Sequence, residues 1–264
     1  MADVVLLKLG GSLITDKARP ETPRTKVLIR LIGEIARNAA KLPFRLIVGH
    51  GSGSYGHVAA QRFDLASGVQ SADQIPGVSF TQERAAMLHR LVVTGLEKAG
   101  ALPFSIVPSS CIVAEAGRPV AFEDEPFFLA LSQGLIPVLY GDVVMDREWG
   151  ASICSTERLF ELVVRRLLEH GWKVRRVIWL GETDGLYDAG GKTVPRLSAA
   201  EFLKAARAIG APAGTDVTGG MRHRVETALA LARLGIPSLL ANGLTPGLLE
   251  KALRGEEVPG TVVP

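Results

Sequence analysis

The stretch that decides the fold is Val4-Val-Leu-Leu-Lys-Leu-Gly-Gly-Ser12, an apolar run that contains one lysine and ends in two glycines. A short apolar run of this kind is typical of a buried strand in a parallel sheet. Two glycines at its carboxyl end allow the backbone to approach a ligand closely, and open α/β sheets bind their ligands at that end. A tight turn would explain the glycine pair equally well.

Lys8 is the residue that favours a binding site over a turn. An unpaired ammonium group inside an apolar strand is costly, so the sequence predicts an anion beside Lys8. The alternative is an edge strand on which Lys8 points into solvent. A second lysine, Lys17, follows the glycines and could reach the same ligand.

The rest of the chain alternates short apolar runs with longer amphipathic segments, which predicts an α/β fold with a parallel sheet covered by helices on both faces. Further strands are predicted at residues 45–48, 104–107, 136–139, 176–180 and 238–241, and helices at 26–42, 81–99, 156–170 and 220–234. Residues 108–126 lack this periodicity and predict a hairpin or an irregular excursion. Residues 186–192 contain Asp188-Ala-Gly-Gly, a turn signal. No linker separates independent domains, so we expect one continuous sheet with two lobes.

Composition excludes several classes of protein. The 264 residues include 47% hydrophobic and 22% charged residues, with 30 Lys and Arg scattered against 27 Asp and Glu, so nucleic acid is not implied as a partner. The absence of a long apolar run or a leader pattern favours a cytoplasmic protein rather than a membrane protein. Cys111 and Cys154 have neither metal-ligand nor disulfide-framework spacing, and we expect both to be small buried side chains with no metal site.

A second glycine-rich loop, Val48-Gly-His-Gly-Ser-Gly-Ser-Tyr-Gly-His57, follows the second predicted strand. Its backbone N–H groups and the following helix N-terminus would suit a phosphate, although the loop is not a Walker A motif. His57, near the predicted helix start, could donate a hydrogen bond to a phosphate oxygen, whereas His50 could be structural.

Two later segments could contact a nucleotide. Leu180-Gly-Glu-Thr-Asp-Gly-Leu-Tyr-Asp188 follows a strand and supplies polar and turn residues for a base or ribose. The segment Asp216-Val-Thr-Gly-Gly-Met-Arg-His-Arg-Val-Glu226 opens a helix. Positive charges are unfavourable at a helix N-terminus, so the presence of Arg222 and Arg224 there would be explained by a bound anion such as a triphosphate. The alternative is that both arginines are solvated surface charges. Two glycine loops and separate cations indicate two phosphate-bearing ligands.

In sequence order, these motifs resemble the amino acid kinase superfamily over nearly the whole chain. The first loop through Lys17, together with Gly-Ser-Gly-Ser-Tyr-Gly-His57, resembles isopentenyl phosphate kinases, which use ATP to make isopentenyl diphosphate. Fosfomycin kinases, which share the histidine, are the nearest competitor. A non-catalytic nucleotide-binding sensor or storage protein of the same fold is the other alternative, and retention of Lys8 and Lys17 argues against it.

The resemblance implies a three-layer αβα sandwich, a single domain over residues 1–264, MgATP as phosphoryl donor, and a homodimer. It places the acceptor in a lobe of about residues 1–170 and ATP in a lobe of about residues 171–264. It implies that Lys8 bridges the moving phosphoryl group, that Lys17 holds ATP phosphates, and that His57 binds the acceptor phosphate.

The resemblance also implies further binding residues. The acceptor would contact backbone amides of Gly10, Gly11, Gly53 and Gly56, and Gly141 and Asp142 match the segment that flanks the acceptor site. ATP would contact Gly10, Thr183, Asp184, Gly185, Tyr187, Gly219, Arg222 and Arg224.

Two segments depart from the family pattern. Arg222 and Arg224 replace a lysine that is usual at this helix start, which keeps the charge but changes its geometry. Glu157 is the best match to the aspartate that orients the catalytic lysines, with one extra methylene group.

An isoprenoid tail would need an apolar wall, for which we expect Ala86, Met87, Arg90, Val93, Ile136 and Val138.

Overall fold

The computed structural model describes residues 3–188, 190–198 and 219–264. The described strands are β1 (Asp3–Leu9), β2 (Arg45–His50), β3 (Pro103–Ser105), β4 (Ile112–Glu115), β5 (Arg118–Phe122), β6 (Ile136–Tyr140), β7 (Asp142–Asp146), β8 (Gly150–Cys154), β9 (Lys173–Gly181), β10 (Ser238–Asn242) and β11 (Thr261–Val263). The described α-helices are α1 (Gly11–Ile14), α2 (Thr25–Ala39), α3 (Gly53–Arg62), α4 (Ile75–Lys98), α5 (Pro108–Cys111), α6 (Glu125–Ser132), α7 (Thr156–Glu169), α8 (Gly219–Ala232) and α9 (Leu248–Arg254).

Seven strands form the main sheet in the spatial order β11-β10-β9-β1-β2-β6-β3. Every neighbouring pair in it is parallel except β10 and β11. The mainly parallel sheet predicted from the apolar runs is therefore confirmed. The strand β1 lies at its centre, so the glycines that follow β1 open onto the middle of one sheet edge.

Helices cover both faces of this sheet, as the periodicity predicts. Val4 and Leu6 of β1 belong to one core cluster, which includes buried side chains of α6, α7 and α8. Val5, Leu7 and Leu9 belong to a second cluster with α2, α4 and α9. Because successive strand residues point to opposite faces, an unbroken apolar strand is what two buried faces require.

A second, four-stranded sheet has the order β5-β4-β7-β8. It contains the hairpin predicted for residues 108–126, which is formed by β4 and β5. The β7–β8 hairpin that completes it was not among the predicted strands. Asp146 joins the two hairpins, because its carboxylate accepts hydrogen bonds from the amides of Ala116, Gly117, Glu148 and Trp149 at 2.7–3.1 Å.

The four predicted helices correspond to α2, α4, α7 and α8, with shifted ends. The helix α2 ends at Ala39 rather than Leu42, since Pro43 disfavours helical conformation in the residue before it. The helix α4 begins six residues earlier than predicted, with Pro76 in its first turn, where a missing N–H costs nothing. No helix among the described residues is long and apolar enough to span a bilayer.

Candidate active site

A cavity of about 780 Å³ lies at the carboxyl ends of the central strands. Gly11 follows β1, Gly51 follows β2, Gly141 follows β6 and Glu182 follows β9, and all four line it. The other predicted site residues that line it are Lys8, Lys17, Gly53, His57, Glu157, Thr183, Gly185, Tyr187, Arg222 and Arg224. Folding therefore brings most of the predicted site residues to one cavity, although their roles stay predictions.

The two glycine loops touch each other on the floor of this cavity. A Cβ atom added to Gly11 would lie 2.7 Å from the backbone nitrogen of Gly53, and one added to Gly51 would lie 2.8 Å from the backbone nitrogen of Gly11. Gly53 also has a φ of +53°, which disfavours side chains. The Thr15 hydroxyl holds the loops together, because it donates to the carbonyl of Gly11 and accepts from the amide of Ser54.

Lys8 finds the anion that its position predicts. Its ammonium group contacts the carboxylate of Glu157, and both residues are buried, at 5% and 6% exposure. Glu157 lies in the first turn of α7, where the N–H groups of the helix N-terminus favour a negative charge. The Ser155 hydroxyl caps this helix by accepting from the Arg158 amide at 3.3 Å. The contact also excludes the alternative of a solvent-exposed Lys8.

Burial and neighbouring charges set the protonation of this pair. Desolvation lowers the pKa of Lys8, as do the charges of Arg224 and Lys17, while Glu157 acts to raise it. Desolvation acts to raise the pKa of Glu157, but Lys8 and Arg224 outweigh it, and the carboxyl pKa is lowered. Glu157 is thus held ionised, and it is the group that favours a charged Lys8.

The two arginines at the start of α8 have different surroundings. Arg222 is exposed and pairs with Glu226 at 2.8 Å. Arg224 is buried at 9% exposure, and its Nε has no hydrogen-bond partner among the described residues. Its guanidinium lies against the backbone of Gly10 and Gly181, where an added Cβ would fall 3.6 Å and 2.5 Å from its nitrogen atoms. Arg224 is therefore a buried cation with unused donor capacity at the cavity.

His57 and Lys17 are exposed side chains that line the cavity, each following one of the two glycine loops in the sequence. His57 lies in the second turn of α3, whose N-terminal residue Gly53 also lines the cavity. The pKa of His57 is lowered by desolvation of its ring and then by the charges of Lys17 and Lys8. A neutral ring presents one N–H donor to an anion.

The segment after β9 forms the opposite wall. Thr183, Gly185 and Tyr187 line the cavity, and the Tyr187 hydroxyl accepts from the Asp184 amide at 3.2 Å. The turn predicted from Asp188-Ala-Gly-Gly is confirmed: the Asp188 carboxylate accepts from the amides of Gly190 and Lys192 at 2.8 and 2.9 Å. Ala189 lies outside the described residues.

Some predicted contact residues do not reach the cavity surface. Gly10 packs against the carbonyl oxygen of Leu180, and Gly56 faces Ser52, the residue that precedes α3. Asp184 accepts from the Asn242 side chain at 3.0 Å. Gly219 begins α8, one residue before the cavity-lining Gly220, and Thr218 lies outside the described residues.

Asp142 also lies behind the cavity wall. Its carboxylate accepts from the amides of Ser109 and Val143 at 3.2 and 2.9 Å. Burial raises its pKa to about 6, against the lowering effect of these hydrogen bonds. Of the two predicted neighbours Gly141 and Asp142, only Gly141 lines the cavity.

The apolar wall predicted for an isoprenoid tail is not part of this cavity. Ile136 and Val138 of β6 are buried in the core beneath α4, while Met87 and Arg90 on α4 are exposed. The apolar side chains that do line the cavity are Ala66, Ile153, Cys154 and Met221. Ile136 and Val138 do not reach the cavity because α4 covers the face of β6 on which they lie.

His50 belongs to a buried stack behind the glycine loop, which agrees with its structural interpretation. Its Nε2 lies 3.1 Å from His89 Nδ1, and its Nδ1 lies 3.1 Å from the carbonyl oxygen of Gly51. The rings of His89 and Tyr140 stack with centroids 4.2 Å apart. Desolvation lowers the pKa of His50 to about 4 and that of His89 to about 2, so both rings are neutral near pH 7.

Sequence reasoning missed several lining residues. Ser155 and Thr156 precede Glu157, and the Ser155 hydroxyl lies 3.0 Å from Nε2 of His223 on α8. The pattern of serine before a helix is an N-cap signal that could have found Ser155.

Among the described residues, no group of three or more His, Cys, Asp or Glu side chains could hold a metal ion. Both cysteines are free, and burial raises the pKa of the Cys111 and Cys154 thiols to about 11 and 12.

Comparison with known proteins places this geometry in a family. Residues 3–242 match the amino acid kinase family. The chain belongs to the amino acid kinase family. Within this family it is 34% identical over 269 residues to the isopentenyl phosphate kinase of Methanothermobacter thermautotrophicus, covering 98% of each chain. It is 35% identical to the isopentenyl phosphate kinase of Haloferax volcanii, again over 98% of each chain.

Solved structures of this amino acid kinase family agree with the fold. The X-ray structure of an isopentenyl phosphate kinase superposes with a TM-score of 0.82 at 30% identity, over 98% of this chain and 99% of that one. The chain is therefore a kinase with a small-molecule substrate, and ATP is the donor that the family implies. The predicted αβα arrangement with a mainly parallel sheet is confirmed by this match.

Proposed function

We propose that this kinase transfers the γ-phosphoryl group of ATP to the phosphate of isopentenyl phosphate. The bond between the γ-phosphorus and the bridging oxygen breaks, ADP leaves with the electron pair, and an acceptor phosphate oxygen forms the new bond. The observation that carries the proposal is the placement of Lys8 and His57 on one cavity, in a chain similar throughout its length to isopentenyl phosphate kinases.

The charges of the cavity support an acceptor that is already an anion. Three carboxylates line it, and each is ion-paired: Glu157 with Lys8, Glu182 with Arg24 and Glu226 with Arg222. A hydroxyl acceptor would benefit from a free base, whereas a phosphate monoester already carries its nucleophilic oxygen. Hydrogen-bond donors and cations suffice to hold it, and His57 and the Gly53 amide can supply the donors.

Cations around the moving charge would provide most of the catalysis. Phosphoryl transfer depends on positioning and on electrostatic stabilisation of the transferred group. Lys8, fixed by Glu157, would contact the transferring group between the two glycine loops. Lys17 would hold ATP phosphates, and Arg224, whose Nε has no hydrogen-bond partner among the described residues, would add a further positive charge.

The two ligands would occupy different lobes. ATP would lie against residues of about 171–264, with its phosphates at the start of α8 and its nucleoside near Thr183 and Tyr187. The acceptor would lie in the lobe of about residues 1–170, beside His57. The small apolar surfaces of Ala66 and Ile153 would then contact its tail.

Magnesium would enter with the nucleotide. Mg²⁺ usually keeps several waters and binds through substrate phosphates with one or two carboxylates, so it does not need a dedicated protein cage. The three lining carboxylates, those of Glu157, Glu182 and Glu226, are engaged in ion pairs, so the nucleotide phosphates and waters would supply most of its ligands. Magnesium would neutralise phosphate charge that Lys8, Lys17 and Arg224 do not reach.

We also propose a cytoplasmic homodimer. The outer face of α4 carries exposed Met87 and Leu91, at 38% and 44% exposure, which a second copy could cover. Sedimentation velocity would give the oligomeric state, and a monomer at micromolar concentration would contradict the dimer.

The test of the reaction is ADP release with MgATP and a panel of acceptors: isopentenyl phosphate, dimethylallyl phosphate, fosfomycin, UMP, glutamate and acetylglutamate. We expect efficient turnover with isopentenyl phosphate, alone or with its dimethylallyl isomer. Turnover of fosfomycin alone would replace the acceptor but keep the mechanism. Absence of turnover with every acceptor would overturn the proposal.

A further inference from the structure

A second cavity lies at the opposite end of the main sheet from the candidate active site. It has a volume of about 860 Å³ and is formed near the amino ends of β1, β2 and β9, together with the ends of α2 and α9. Val5 of β1 lines this cavity, whereas Lys8 of the same strand lines the active site. The two cavities share no lining residue.

The second cavity is strongly cationic. Five basic side chains line it, Arg37, Lys41, Arg175, Arg176 and Arg254, against one carboxylate, that of Glu250. Glu250 is already engaged by two of the five, since it lies 2.7 Å from Arg37 and 3.7 Å from Arg254.

Two of these cations have no carboxylate partner in the described part of the chain. Lys41 is exposed at the turn between α2 and β2 and forms no ion pair there. Arg176 is partly buried and donates only to the carbonyl of Ala252 near the end of α9. Burial and the neighbouring Arg175 lower the pKa of Arg176, which means that its surroundings disfavour the charged form of the guanidinium. An anion in the cavity would compensate both groups.

A backbone irregularity brings two arginines to this cavity. Consecutive residues of a regular strand point to opposite faces, yet Arg175 and Arg176 both line it. The register of β1 against β9 shifts here: Val4 pairs with Val174, and Val5 pairs with Arg176, so Arg175 is the extra residue of a β-bulge. Bulges between parallel strands are rare and re-aim side chains, which indicates a built site rather than scattered surface charge.

The floor of the cavity is apolar and rigid. Phe44, Leu253 and Val5 line it, and all three are buried. The Arg175 guanidinium lies 5.5 Å from the centroid of the Phe44 ring and also pairs with Asp3 at 2.9 Å, so its position is constrained from two sides. The cavity therefore combines fixed cations with a hydrophobic base.

We propose that this second cavity binds a phosphate-bearing small molecule with at least two negative charges and an apolar part. Two unpaired cations match the charge, planar guanidinium groups match phosphate oxygens, and the floor matches the apolar part. Its concave shape favours a small molecule over a membrane surface, because the partly buried Arg176 lies within the hollow, where a flat bilayer could not reach it. No part of this site depends on the reaction proposed for the other end of the sheet.

The probe is inorganic pyrophosphate, titrated calorimetrically into the full chain saturated with a non-hydrolysable ATP analogue. Because pyrophosphate could also enter the acceptor site, the titration is repeated with His57→Ala. We expect binding that persists in His57→Ala and weakens by about tenfold or more in Arg176→Gln, the loss expected for one charge-assisted hydrogen bond. Arg165→Gln, which alters an exposed ion-paired arginine on the outer surface of α7, is the matched control and should bind as the unaltered protein does.

Arg176→Gln removes a hydrogen bond to α9 and could impair folding, so Lys41→Gln serves as the second variant. Lys41 is exposed and unpaired, and its replacement should weaken pyrophosphate binding while leaving the melting temperature unchanged. Binding that disappears in His57→Ala, or that survives both Arg176→Gln and Lys41→Gln, would overturn the proposal. Binding to anionic phospholipid vesicles without binding to pyrophosphate would overturn it in favour of a membrane contact.

Discussion

Lys8 and Glu157 are 149 residues apart in the sequence and form a buried ion pair at the centre of the cavity. Lys8 comes from the central strand and Glu157 from the first turn of α7. The pair therefore fixes a helix from one core cluster to the middle of the sheet. It also leaves the remaining ammonium hydrogens of Lys8 available to a ligand.

Replacement of Lys8 should affect the reaction more than nucleotide binding. We expect Lys8→Ala to lower kcat by about a hundredfold or more, because its contact strengthens as charge develops on the transferring group. The dissociation constant of ATP should change much less. Steady-state kinetics and equilibrium titration measure the two quantities. Lys26→Ala, on the exposed surface of α2, is the control, and a variant in which only Michaelis constants rise would refute the assignment.

Replacement of Glu157 should shift the pH dependence of the reaction. Glu157 is the group that acts to raise the lowered pKa of Lys8, so Glu157→Gln should lower that pKa further. Lys8 must be protonated to stabilise phosphoryl charge, and the variant should therefore lose activity at lower pH than the unaltered protein as pH rises. The kcat–pH profile measures this shift.

Glu157→Asp is the matched variant, because it keeps the charge and shortens the side chain. Its alkaline limb should stay close to that of the unaltered protein even where its rate falls. Identical pH profiles for Glu157→Gln and the unaltered protein would show that Glu157 has only a structural role.

His57 should act through its N–H donor. We expect His57→Ala to raise KM for isopentenyl phosphate and to lower kcat/KM by about tenfold to a hundredfold, the loss of one hydrogen bond to a charged group. His57→Gln retains a donor and should recover part of that loss. His170→Ala, at the exposed end of α7, is the control for a histidine outside the cavity. Unchanged kinetics in His57→Ala would assign His57 a structural role.

The contact between the two glycine loops should not tolerate a methyl group. A Cβ at Gly11 would meet backbone atoms of Gly53 at 2.7 and 2.8 Å, so Gly11→Ala must push the loops apart and should reduce kcat/KM for both substrates. Gly33→Ala is the control, because its added Cβ meets only the end of the Arg37 side chain, and alanine favours the interior of α2 by about 1 kcal/mol. Equal activity in the two variants would mean that the loops can separate without loss.

The free energy of unfolding should fall at low pH because of Asp146. Burial acts to raise its pKa, but the hydrogen bonds from the amides of Trp149, Gly117 and Glu148 lower it from 3.8 to about 2, so its contribution is fully present above about pH 4 and is lost as pH falls towards 2. We expect Asp146→Asn to destabilise the protein by about 1–3 kcal/mol near pH 7, with the difference narrowing below pH 4. Denaturant unfolding across this pH range measures it. Asp73→Asn, at an exposed position, is the control, and a difference independent of pH would contradict the interpretation.

Lys8 shows what sequence alone can predict about this site. Its charge within an apolar strand required an anion, and the glycines after β1 located the cavity edge. Both inferences rest on local sequence patterns: a buried charge without a partner costs free energy, and a glycine pair after a strand allows close approach to a ligand. The identity of the anion needed a family resemblance, because Glu157 is brought to Lys8 by tertiary structure alone.

Arg222 and Arg224 show where such reasoning stops. They are two residues apart in the same helical turn, and the sequence offers no reason to separate an exposed pair with Glu226 from a buried cation against Gly181. Asp142 and the β6 residues predicted as an apolar wall lie behind the cavity surface for a related reason. The face of a strand that meets solvent, ligand or helix depends on what packs over it, and α4 and residues near Ser109 decide that question.

The guanidinium of Arg224 fills the space that a side chain at Gly181 would need, since a Cβ added there would lie 2.5 Å from one of its nitrogen atoms. In evolutionary terms these two positions behave as one heritable unit. A larger residue at position 181 would displace the guanidinium from its place at the cavity, whereas a shorter residue at position 224 would leave room for it. Mutational paths that keep this part of the cavity intact therefore have an order, with the change at position 224 coming before a change at position 181.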